Sequence, residues 1–113
     1  MLDFSKKRTM PLILGDGTKI DLRTPNAKTL NKLTKIGGEP DDYVEACVII
    51  LNLNQQGLTF TADEVAEDLG FDEMVILSEA YLSFVADIQN DPNYKSRLAQ
   101  QMREQTGQST TTR

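Results

Sequence analysis

The chain has 113 residues, of which 39% are apolar and 26% charged, and a formal charge of −5 at neutral pH; that suits one domain with one modest core. It has no histidine and a single cysteine, so the usual neutral-pH general base and commonest metal ligand is missing, and no intrachain disulfide can form. Histidine-activated nucleophilic catalysis and a disulfide scaffold are thereby excluded, and a reducing compartment fits.

Residues 1–8, with Lys6, Lys7 and Arg8, read as a flexible basic arm, and no apolar core of a signal peptide follows them. Residues 9–14 and 18–23 read as two strands joined by Gly15-Asp16-Gly17, which is strong hairpin chemistry. In the second strand Thr18, Ile20 and Leu22 alternate with Lys19, Asp21 and Arg23, the pattern of a half-buried strand. Pro11 lacks an N–H, so the first strand is expected at an edge. A lone hairpin is marginal in water, so this one must dock on helices or lend its edge to another chain.

Thr24-Pro25 predicts the start of a helix over residues 25–36, with Thr24 as cap and Pro25 at the first helical position. Ala27, Leu30, Leu33 and Ile36 form its apolar stripe, Lys28, Lys32 and Lys35 line another face, and Gly37-Gly38 ends it. Pro40-Asp41-Asp42 opens a second helix, residues 41–56, which is apolar almost all round and so is the buried, central one. Its ten-residue apolar stretch contains Glu45 and Asn52 and is too short and polar to cross a bilayer. Thr61 and Glu64 form a capping box for a short helix over 62–69. Asp72 is the expected cap of a helix over 73–89, whose main stripe is Met74, Leu77, Tyr81, Phe84, Val85 and Ile88. Residues 94–113 read as a weak amphipathic helix around Leu98 and Met102 and then a disordered polar tail. The fold expected is mainly α with a small N-terminal β-hairpin: a compact bundle of about four helices in a single globular domain over residues 9–93.

Charge falls in blocks. Residues 1–36 hold eight bases and three acids, residues 37–92 thirteen acids and no base, and residues 93–113 four bases and one acid. The basic start can neutralise the acidic middle within one molecule, or the opposed fields can attract another copy or a charged partner.

Few residues invite chemistry. Cys47 lies within an apolar run and reads as a small core residue, with no histidine to activate it. Val65, Ala66, Leu69, Gly70, Phe71 and Ile76 fit a helix-turn-helix, but Asp63, Glu64, Glu67, Asp68, Asp72, Glu73 and Glu79 surround the reading helix and would repel phosphate. Asp63/Glu67 and Glu64/Asp68 stand one turn apart and read as solvated acidic surface, and no glycine pattern matches a nucleotide loop. The more informative feature is apolar. Val75, Leu82 and Ala86 widen the last long helix beyond one stripe, so it is either buried on both sides or open to a partner helix packed in a groove. Candidate partner-binding residues are therefore Val75, Leu82 and Ala86, with the lysine row Lys28, Lys32 and Lys35 as a seat for an acidic partner. No catalytic, cofactor-binding or metal site is expected, and the chain is not expected to be an enzyme.

The opening Leu2-Asp3-Phe4, the hairpin ending Asp16-Gly17-Thr18-Lys19-Ile20-Asp21-Leu22, and Arg23-Thr24-Pro25 before a helix resemble the small tail assembly chaperones of long-tailed bacteriophages. So does the run Glu79-Ala80-Tyr81-Leu82-Ser83-Phe84 through Ile88-Gln89-Asn90-Asp91-Pro92-Asn93. The resemblance covers residues 2–93. It implies a protein of the host bacterium's cytoplasm that binds the long helical tape-measure protein before the tail tube forms, and keeps it soluble. It also implies a frameshifted longer form, to which residues 105–113 would be a tether. Self-association into an oligomeric ring, as in a head–tail or tail component, is the alternative, and a DNA-binding regulator a further one. No small-molecule substrate, nucleic acid or membrane is expected as a partner.

Overall fold

The computed structural model describes residues 8–90: a two-stranded antiparallel hairpin, Thr9–Ile13 (β1) and Lys19–Arg23 (β2), then four helices, Ala27–Thr34 (α1), Pro40–Leu51 (α2), Ala62–Asp68 (α3) and Phe71–Gln89 (α4). The expected weak helix and polar tail over 94–113, and all but the last residue of the basic arm, lie outside the described residues.

The hairpin closes as its turn residues demand. Gly17 takes a φ of +90°, and Thr18 N–H donates to the Asp16 carboxylate at 2.9 Å. That hydrogen bond holds the Asp16 carboxyl below its usual range. Met10 and Leu12 stand opposite Leu22 and Ile20, and this face carries the hairpin onto the helices.

The hairpin is not alone. The connector after α2 runs along the free side of β2: Arg23 N–H donates to Leu53 O at 2.8 Å and Gln55 N–H to Asp21 O at 2.9 Å. The Gln56 side chain accepts from Asp21 N–H at 2.9 Å and donates to the Asp21 carboxylate at 3.1 Å. β2 is therefore paired on both sides, which removes the weakness of an isolated hairpin. β1 keeps the open edge. With Leu14 and Thr18 bonded across the turn, the antiparallel alternation turns the backbone groups of Thr9, Pro11 and Ile13 outward. Proline thus sits where the middle outward N–H would be.

This connector also explains why α2 ends at Leu51 and not at 56. Asn52 and Asn54 use their side chains on the backbone. Asn54, which is buried, donates to Leu51 O and Leu58 O at 2.8 Å each and accepts from Gln56 N–H at 3.1 Å and Leu58 N–H at 2.9 Å. Asn52 pairs with both backbone groups of Phe60, at 2.7 and 3.0 Å. Asparagine competes with the helical ladder in this way, so the chain turns.

Two helix starts also differ from the sequence reading. Asn26, not Thr24, caps α1: its side chain accepts from Thr29 N–H at 2.8 Å and Pro25 precedes the cap. α4 begins at Phe71, two residues before the expected 73, because Glu73 accepts from Gly70 N–H at 2.8 Å. The capping box of Thr61 and Glu64 forms as read, at 3.0 and 3.2 Å. Each of α2, α3 and α4 has acids in its first turn (Asp41 and Asp42, Asp63 and Glu64, Asp72 and Glu73). Those six carboxylates stand where the helix dipole favours negative charge.

The core lies between α2 and α4, with α1 and α3 packed on α2 and the hairpin contributing Ile20 and Leu22. Cys47, Ile50 and Leu51 of α2 meet Leu77, Tyr81 and Val85 of α4 over Ile20, Leu22 and Val65. Tyr81 is fully buried and donates its hydroxyl hydrogen to Arg23 O, tying α4 to the end of β2. Burial pushes its phenol up to about 12.

Candidate functional site

α4 buries only part of its apolar surface. Met74, Leu77, Tyr81 and Val85 point inward. A second line, Phe71, Val75, Ser78 and Leu82, runs at helical spacing along one flank of that face. Leu82 is 37% exposed and Phe71 49%, while Val75 is half-buried and Ala86 exposed.

This flank forms one wall of a shallow groove of about 160 Å³. Leu33, Ile36 and Gly37 close it from α1 and the turn after it, Tyr43, Ala46 and Ile50 form its floor on α2, and Ser78, Glu79 and Leu82 come from α4. The Tyr43 and Phe71 rings form a T-shaped pair with centroids 5.4 Å apart, joining α2 and α4. Ser78 adds little polarity, since its hydroxyl donates to Met74 O at 2.9 Å. A volume of roughly 150 Å³ with apolar walls accepts a benzene-sized group. The groove therefore takes about one bulky side chain.

The six residues singled out in the sequence do not form one site. Leu82 lines the groove, Val75 sits on the same flank, and Ala86 is one turn further toward the end of α4. Lys28 and Lys32 on α1 and Lys35 at its C-cap are exposed, and none of them lines the groove. Tyr43, Ile36 and Phe71 were not singled out as a surface. Phe71 carried a usable signal: with the helix begun at 71 instead of 73, positions 71, 75, 78 and 82 fall on one line.

No family model, curated protein or solved structure matches this chain. The site is therefore read from its own residues.

The other candidates have structural places. Cys47 is fully buried, its thiol pushed up by burial, with Sγ 3.5 Å from Met74 O and 3.9 Å from Ser78 Oγ. In the helix-turn-helix reading Ile76 belongs to an apolar interior, but it is 63% exposed, and α3 packs on α2. Among the described residues, no group of three or more Cys, Asp or Glu is gathered as a metal ion requires, and no helix is long and apolar enough to cross a membrane.

Proposed function

We propose that this chain is an assembly chaperone of the kind found in long-tailed bacteriophages, acting by binding alone. It holds an apolar helical stretch of a tape-measure protein and keeps it soluble until the tail tube assembles. The observation that carries this reading is the open apolar groove beside Leu82, on a helix that has more apolar surface than its own core uses. A groove walled by helices suits a helical ligand with apolar anchors. The sole cysteine is buried, which fits a protein that does no thiol chemistry.

The ring-forming alternative finds less support. Its edge would be β1, and Pro11 withholds the central donor there.

Co-expression with a tape-measure protein tests the proposal. The soluble yield of that protein rises and a complex elutes from a sizing column; with Leu82→Glu both effects are lost. An unchanged yield with the native chain refutes it.

A further inference from the structure

Little holds α1 to the rest of the molecule. Leu33 is its buried residue, and Leu30 and Ile36 rest half-buried against the core. Its hydrogen bonds close on themselves: Thr29 N–H donates to the Asn26 side chain at 2.8 Å, and the Thr34 hydroxyl to Asn31 O at 3.1 Å. Lys35 N–H and Ile36 N–H reach only Lys32 O and Leu33 O, at 3.3 and 3.4 Å. Among the described residues, no hydrogen bond or ion pair joins residues 24–38 to another element.

The chain on either side is fixed. Arg23 is pinned at both backbone groups, by Leu53 O at 2.8 Å and by the Tyr81 hydroxyl. The start of α2 is closed by Glu39 N–H on the Asp42 carboxylate at 3.0 Å. Between these points lie Thr24 at one end of α1 and Gly37-Gly38 at the other, and a Cβ at position 38 would meet nothing within 4 Å. A few residues at the ends of an element can absorb its rotation. An element with sparse buried contact and no cross-links opens while the rest stays folded.

As it stands the groove takes one bulky side chain, too little to hold a long helix. Leu33 and Ile36 form its wall on the α1 side, facing Tyr43, Ala46 and Ile50 of α2. If α1 moves out, the places of Leu30, Leu33 and Ile36 join the groove, adding about 9 Å of helix-shaped seat. α1 itself shows what fits there: a helix with apolar residues at every third position. We infer that α1 is a hinged wall, which swings out as a unit so that a tape-measure helix of similar apolar spacing takes its place on α2. This rests on reading the groove as a docking surface, and adds how that surface opens.

Hydrogen exchange on the full chain, read residue by residue by NMR, tests the hinge. The α1 amides of Asn31 to Thr34 are expected to exchange together, about a hundredfold faster than those of Cys47 to Leu51 in α2. Leu33→Ala removes the main anchor and is expected to speed α1 by a further factor of about ten while leaving α2 and α4 unchanged. In a complex with the tape-measure protein, α1 exchanges faster still and α2 more slowly, because the bound helix keeps the wall open. A single rate shared by α1 and α2, or Leu33→Ala speeding both equally, overturns the hinge and leaves the groove as a docking surface. So does an α1 that becomes protected in the complex, since it then closes over the bound helix instead of giving way to it. If no complex forms, the chaperone reading fails, and the exchange of the free chain still decides the hinge.

Discussion

Replacing Asn54 by alanine removes four hydrogen bonds from one buried side chain. A net contribution of about 1 kcal/mol for each sets an upper value near 4 kcal/mol. The true cost is lower, because Gln56 and Leu58 are exposed and water can replace the side chain at their N–H groups. Leu51 is fully buried, and its carbonyl, left with the Asn54 N–H at 3.2 Å, loses a closer partner that water cannot readily replace. The expected loss is about 3 kcal/mol, a large share of the 5–15 kcal/mol of a typical domain. Urea titration followed by circular dichroism measures it, with hydrogen exchange at Gln55 N–H as a local report on the connector. A loss below about 1 kcal/mol refutes the account, because that is the size of a single hydrogen bond. Asn54→Asp sharpens the test. It keeps the acceptor but aims a carboxylate oxygen at the carbonyls of Leu51 and Leu58, so it must cost more than alanine. Complex formation with a tape-measure protein should survive Asn54→Ala below its melting point, since the connector lies along β2 and contributes no groove residue.

Four further outcomes are expected. Tyr81→Phe loses the hydrogen bond to Arg23 O, at about 1 kcal/mol in urea melts. Burial raises the Tyr81 phenol from 10 to about 12, so the folded state favours the neutral form. Its contribution to stability is complete below about pH 10 and is lost as the pH rises toward 12; alkaline melts read by phenolate absorbance check this, and Tyr81→Phe removes the late-titrating group. Pro11→Val restores the outward N–H of β1 and should produce dimers at high concentration on a sizing column, where the native edge gives none. Leu82→Glu should cost only about 1 kcal/mol, because position 82 is 37% exposed and a carboxylate there reaches water; a much larger loss would place Leu82 in the core and not in the groove.

The order of elements was legible because each rests on local chemistry: the Gly15-Asp16-Gly17 turn, the Thr61 and Glu64 box, and the helical spacing of Met74, Leu77, Tyr81 and Val85. What escaped depends on contacts distant in sequence or on side chains competing with the backbone. Nothing local says that residues 53–55 will pair with β2, thirty residues earlier. Asn52 and Asn54 both fall within the helix expected over residues 41–56, and only the partners of their amides show that the helix has ended. The acidic block was read as a field acting on partners or on the basic start. Six of its carboxylates serve the first turns of three helices, a local role that became visible once the helix starts were placed.

The openness of the groove follows from how the chain turns between α1 and α2. Gly37 lines the groove, and a Cβ at that position would approach the Asp42 carboxylate to 2.8 Å. That carboxylate is occupied in accepting Glu39 N–H at 3.0 Å at the start of α2. A side chain at 37 must therefore displace the acid that caps α2 or lean into the groove. Glycine avoids both, and α1 stops at Thr34. The wall it leaves beside Leu82 is low, and the leucine stays partly in water. The tight turn that starts the central helix is thus also what keeps an apolar site open on its neighbour, so the two properties cannot be changed independently at position 37.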